Sequence, residues 1–99
     1  FIITENGLGY KDVVEDGRIH DGYRIEFLQG FVDWMLRAKE EGCDVRGYFV
    51  WSTMDVYSWI NGYDKRYGLV YVDYDDDCRR ICKDSYYWYK EMIARQEEK

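Results

Sequence analysis

The sequence predicts an α/β fold made of two βα units, and three observations carry that reading. Apolar, β-favouring runs at 1–4 and 45–50 each end in loop chemistry. Between them, over 23–41, apolar residues recur at three- and four-residue steps. A second helical stretch, 84–94, lies near the end of the chain. Strand, helix and strand at this spacing make a βαβ unit, whose strands must be parallel. Two strands alone leave both sheet edges unpaired and one helix layer incomplete, so the unit reads as part of a larger α/β fold.

Residues 1–4, FIIT, are a continuous apolar run stopped by Glu5-Asn6-Gly7, as where a buried parallel strand passes into a loop. Residues 8–21 are polar, punctuated by glycine, and read as loop; His20 stands alone there, suited to a surface or supporting role. In the helix Ile25, Leu28, Val32, Met35 and Leu36 form the apolar stripe, widened by Phe27, Phe31 and Trp34. Asp21 or Gly22 marks its start and Gly42 its end, while Arg37, Lys39, Glu40 and Glu41 make a solvated face. VRGYFV at 45–50 is the second strand. Further on, LVYVDY at 69–74 reads as a short extended segment. Asp73, Asp75, Asp76 and Asp77 follow as a turn, because turn aspartates bond their own backbone more readily than they bind calcium. The final helix offers Tyr86, Tyr87, Trp88, Met92 and Ile93 for burial.

The chemistry concentrates in residues 51–68, WSTMDVYSWINGYDKRYG. Trp51 and Trp59 present flat apolar faces on which a sugar ring can lie. Ser58, Lys65 and Tyr67 supply a hydroxyl, an ammonium and a phenol, donors suited to an oxyanion such as phosphate. The plainer alternative is an aromatic turn that closes a core, with Lys65 solvated. Glu5 and Trp51 both fall at carboxyl ends of strands, which in a (β/α)8 barrel is the catalytic face.

Ninety-nine residues suffice for one small domain, here a single piece covering 1–99. An aromatic content of 19% is more than so small a domain can bury, so part of it should meet a ligand or the remainder of a larger protein. The chain opens on Phe1 inside a strand, without an initiator Met or leader, and is expected to be a fragment. A net charge of −6 argues against nucleic acid or an anionic membrane as general partner. No apolar run approaches the roughly 20 residues that span a bilayer. Cys43, Cys78 and Cys82 lack the companions of a zinc site, so reduced thiols are expected, with no metal and no cofactor.

Against this reading the motifs can be compared with a known family. Thr4-Glu5-Asn6-Gly7 within IITENG resembles the nucleophile motif of family 1 glycoside hydrolases, retaining β-glycosidases with a (β/α)8 barrel. GYFVWSTMDVYSWINGYDKRYGLVYVDY resembles that family's eighth strand and the loop after it, and RRICKDSYYWYKEMI its last helix. The likeness implies the last two βα units of the barrel. Most of the family carries a sugar-binding glutamate seven residues after this tryptophan, where Ser58 stands here. A carboxylate would repel a phosphorylated sugar, and a hydroxyl does not. Ser58, Lys65 and Tyr67 are similar to the phosphate-binding set of the 6-phospho-β-glycosidases in this family. Trp59 resembles the 6-phospho-β-galactosidase branch, in which an indole lies against the axial 4-hydroxyl.

The resemblance implies that Glu5 attacks the anomeric carbon to form a glycosyl-enzyme. A second carboxylic acid, roughly 5–5.5 Å away, would protonate the leaving group and then activate water. The family's Asn-Glu-Pro acid/base motif is absent and Pro is 0, so this chain by itself is expected to be inactive. Asp55 and the 73–77 cluster read as structural. A 6-phosphorylated β-glycoside as substrate implies a cytoplasmic enzyme. The alternatives are a non-catalytic carbohydrate- or phosphate-binding remnant, or a β-glucosidase for unphosphorylated sugars.

Overall fold

The structure, a computed structural model, describes residues 1–60 and 62–97, Glu97 by its backbone alone; Asn61 of the aromatic stretch and the last two residues of the 1–99 assignment lie outside it. Two strands, β1 (Ile2–Asn6) and β2 (Gly47–Val50), run parallel, joined by helix α1 (Gly22–Glu40). Ile2 pairs with Gly47, Ile3 with Tyr48 and Asn6 with Val50, with a register irregularity between Ile3 and Asn6. This is the expected βαβ unit. Two details differ. β1 extends through Glu5 to Asn6, because Asn6 still pairs across to Val50. The strand is also not buried: Ile2 is 58% exposed, since β2 is its one sheet neighbour among the described residues.

Helix α1 buries Leu28 and Val32, while Phe31 and Trp34 lie open to solvent, so the covered stripe is narrower than the sequence suggests. Asp21 occupies the N-cap without a cap bond, its carboxylate being engaged elsewhere. The C-terminus closes as expected on Gly42, which takes φ +105°. Gly42 N–H donates to the Lys39 carbonyl at 3.1 Å and Cys43 N–H to that of Ala38 at 3.0 Å, the paired bonds of a Schellman turn.

Beyond the aromatic loop, β3 (Val70–Asp73) and β4 (Arg79–Cys82) form an antiparallel hairpin over the aspartate turn. Asp77 and Cys78 adopt the left-handed conformation there. β4 is a correction: the family likeness places residues 79–82 with the final helix, whereas Arg-Arg-Ile-Cys forms a strand by pairing with β3. Helix α2 (Asp84–Glu97) then runs past the expected end at 94. Met92 is buried, but Tyr87 and Ile93 are exposed, because within this chain α2 packs chiefly on α1 and β4.

Candidate site at the strand tips

At their carboxyl ends β1 and β2 are tightly joined. Trp51 N–H donates to the Asn6 carbonyl at 2.8 Å, and the Tyr48 hydroxyl donates to Asn6 Oδ1 at 2.6 Å. A Cβ on Gly7 would lie 1.9 Å from the Trp51 carbonyl oxygen, so only glycine permits this approach. Glu5 therefore sits on the strand tip next to that of Trp51. It is exposed, and its side chain makes no hydrogen bond or ion pair among the described residues. Trp51 is 43% exposed, and the peptide after it is cis.

The other candidates divide into two groups. Ser58 and Trp59 belong to a tight turn in which Ser58 and Gly62 exchange backbone hydrogen bonds, both 2.8 Å. Trp59, 96% exposed, stands at its apex. Lys65 and Tyr67 instead meet the loop that follows Glu5. Tyr67 lies so close over Gly9 that a Cβ there would be 2.3 Å from the ring. Lys65 lines a hollow of about 480 Å³ with Gly9, Tyr10, Lys11 and Val13. That hollow contains none of the other candidates, and Lys11 brings to it a second cation that the sequence reading did not single out.

What supports these loops is ionic. Asp12, Asp21 and Asp55 face Arg24, Arg66 and Lys83 in one connected network. Lys83, wholly buried at the start of α2, donates to Asp12 Oδ2 at 2.6 Å and to Asp55 Oδ1 at 2.9 Å. Arg24 donates to Asp21 at 2.6 Å, to both oxygens of Asp12 at 3.1 Å, and to the Arg66 carbonyl at 2.7 Å. Asp55 also accepts from Arg66 and from the backbone N–H of Gly68, each at 3.0 Å. Asp21 accepts from Ser85, which explains why it leaves the α1 N-cap unbonded. Asp55 is thus structural, as expected.

The electrostatics follow. Burial alone would lower the Arg24 guanidinium's pKa, but the charge of Asp12 and hydrogen bonds to Asp21 and Asp12 outweigh it and the net shift is upward. Burial raises the Tyr23 phenol, aided by its hydrogen bond to Asp12. His20 lies at the surface, its Nδ1 2.9 Å from Asp84 Oδ2, in the supporting role expected of it. The sequence reading missed Asp12, Arg24 and Lys83, which carry no local mark of burial. Arg66 had one available signal, its place between Lys65 and Tyr67.

A profile of glycosyl hydrolase family 1 matches residues 1–98. The chain belongs to that family. Among its relatives, a 6-phospho-beta-galactosidase of Leptotrichia buccalis is 50% identical over 95 residues, covering 96% of this chain and 20% of the relative. One from Streptococcus equi subsp. zooepidemicus is 53% identical over 92 residues, covering 93% and 19%. In three dimensions the chain is similar to the family 1 β-glucosidase of Thermotoga maritima, with TM-score 0.90 and 47% identity over 94% of this chain and 21% of that one. A β-glucosidase from Exiguobacterium marinum gives TM-score 0.91 and 40% identity, over 96% and 22%. The chain thus spans about a fifth of the length of the family 1 proteins it matches, and its fold is that of a segment of a TIM barrel. Among the described residues no helix is long and apolar enough to cross a membrane.

Proposed function

We propose that this chain is the C-terminal portion, the last two βα units, of a retaining family 1 glycosidase that hydrolyses 6-phosphorylated β-glycosides, with galacto configuration favoured. Glu5 is the nucleophile, whose carboxylate oxygen bonds to the anomeric carbon as the aglycone leaves. The acid that protonates the leaving group belongs to the remainder of the barrel, as does most of the glycone pocket. Trp51 and Trp59 supply stacking faces; Lys65 and Tyr67, on the loop after β1, receive the phosphate, and Ser58 is to reach it from the separate turn that it shares with Gly62. No cofactor is needed. The charge of a sugar phosphate confines it to the cell that made it, so the working compartment is the cytoplasm.

The observation that carries this reading is the joining of the β1 and β2 tips, with Lys65 and Tyr67 drawn onto the loop that follows β1. The names of the curated relatives favour a phosphorylated substrate, and Ser58 in place of a carboxylate agrees with them. The solved structures are β-glucosidases, which keeps an unphosphorylated sugar as the competing reading. Lys65→Ala in the full-length barrel separates the two. Losing a charge-assisted hydrogen bond costs about 1.5–3 kcal/mol, or roughly ten- to a hundred-fold in affinity, for phosphorylated substrate only. Equal losses on phosphorylated and plain glycosides would favour the β-glucosidase reading. Ser58→Glu should shift preference toward the plain sugar.

A further inference from the structure

We infer that Arg66 is a positioning residue for substrate specificity: its side chain, anchored inward, sets where Lys65 and Tyr67 stand on either side of it. This rests on the phosphate reading above and adds the means by which the two groups are held.

The anchoring is dense for a loop residue. Arg66 Nη1 donates to Asp55 Oδ2 at 3.0 Å and to the Val72 carbonyl at 2.5 Å. Its guanidinium also lies 4.0 Å from the centroid of Tyr71 and 5.0 Å from that of Tyr74, two cation–π contacts that add to the anchor. The backbone is held as well. Arg66 N–H donates to the Tyr10 carbonyl at 2.8 Å, and the Arg66 carbonyl accepts from Tyr10 N–H at 3.1 Å and from Arg24 at 2.7 Å.

Residues 66 and 10 therefore form an isolated antiparallel bridge, which pins this point of the aromatic loop to the loop after β1. Residue 66 turns its side chain inward to Asp55, while its neighbours 65 and 67 lie against the loop after β1. Lys65 is exposed along that loop, and Tyr67 covers Gly9. The Nη1 end of the guanidinium is taken up by Asp55 and the Val72 carbonyl. The same carboxylate accepts from Gly68 N–H at 3.0 Å, which fixes the chain on the far side of Tyr67.

The test compares Arg66→Met and Lys65→Ala in the full-length barrel, with 6-phosphorylated and plain nitrophenyl β-galactosides and with amide hydrogen exchange. Arg66→Met keeps the apolar stem and removes the anchor. Exchange at the amides of residues 66 and 68 should quicken by about ten-fold or more, with α2 unchanged. KM for the phosphorylated substrate should rise about ten-fold while its kcat and both constants for the plain substrate stay within about two-fold. Arg66→Lys should restore part of the loss, and is read in place of Arg66→Met if the latter does not fold. Unaltered exchange at 66 and 68, or an equal loss on both substrates, overturns the inference. If exchange quickens but Lys65→Ala itself fails to distinguish the substrates, the phosphate reading falls and takes the specificity role of Arg66 with it.

Discussion

Replacing Lys83 by methionine probes the ionic centre most directly. The ammonium has no exposed surface, and neither of its partners, Asp12 and Asp55, exceeds 1% side-chain exposure. In the native protein three carboxylates face three cations; the substitution leaves one negative charge uncompensated at a site closed to water. Breaking a buried pair in this way costs about 3–5 kcal/mol. The lower end applies here, because Asp12 keeps Tyr23 and Arg24, and Asp55 keeps Arg66 and two backbone N–H groups. In urea, with a slope near 1 kcal/mol per molar, the midpoint should fall by about 3 M. Tryptophan fluorescence reports the transition. Adding Asp12→Asn restores charge balance, and should recover about 1–2 kcal/mol of the loss. A midpoint within about 0.5 M of the parent for Lys83→Met, or no recovery in the double variant, would refute the reasoning.

Other outcomes follow from the same geometry. Burial, then the neighbouring Tyr89, pushes the Tyr48 phenol from the ordinary 10.0 up to about 12. Its contribution is fully present below pH 10 and is lost as pH rises through about 12, so stability should decline over that window and Tyr48→Phe should make the decline shallower; equally steep alkaline unfolding in the variant speaks against it. Gly7→Ala places a methyl carbon against the Trp51 carbonyl and should cost about 1–3 kcal/mol or more, read as a fall in Tm. A variant as stable as the parent would mean that the two strand tips are not so tightly joined. Trp59→Ala, at the exposed apex of its turn, should leave stability within about 0.5 kcal/mol. In the full-length barrel it should narrow the preference for galacto- over gluco-configured substrate, and an unchanged ratio would remove Trp59 from the specificity set.

Much of the architecture was legible because the relevant signals are local. The switch from a continuous apolar run to a three-four stripe and back marks β1, α1 and β2, and Gly42 marks the helix end. Where packing decides, the sequence is silent. Arg79–Cys82 has no alternation that distinguishes it from the start of a helix, and only the partner strand makes it β4. Phe31 and Trp34 belong to the periodic stripe yet face outward, since periodicity gives a face but not what covers it. Of the site, the joined tips of Glu5 and Trp51 followed from strand order. The placing of Lys65 against Tyr10 and Lys11, away from the Ser58 turn, depends on a bridge between residues 56 positions apart and leaves no trace in local spacing.

The ionic network draws members from nearly the whole chain: Lys83 reaches back 71 positions to Asp12, and Ser85 reaches 64 to Asp21. Apart from the Asp21–Arg24 pair, its charges are neutralised only by distant partners. A half-collapsed chain that shuts Asp55 away before the hairpin delivers Lys83 traps a naked anion, and is driven to reopen. Arrangements that are compact but wrongly threaded are penalised in the same way. The cluster thereby acts as a proofreading lock, which closes only when the early loop, the first helix, the aromatic stretch and the last helix have all arrived in the correct places.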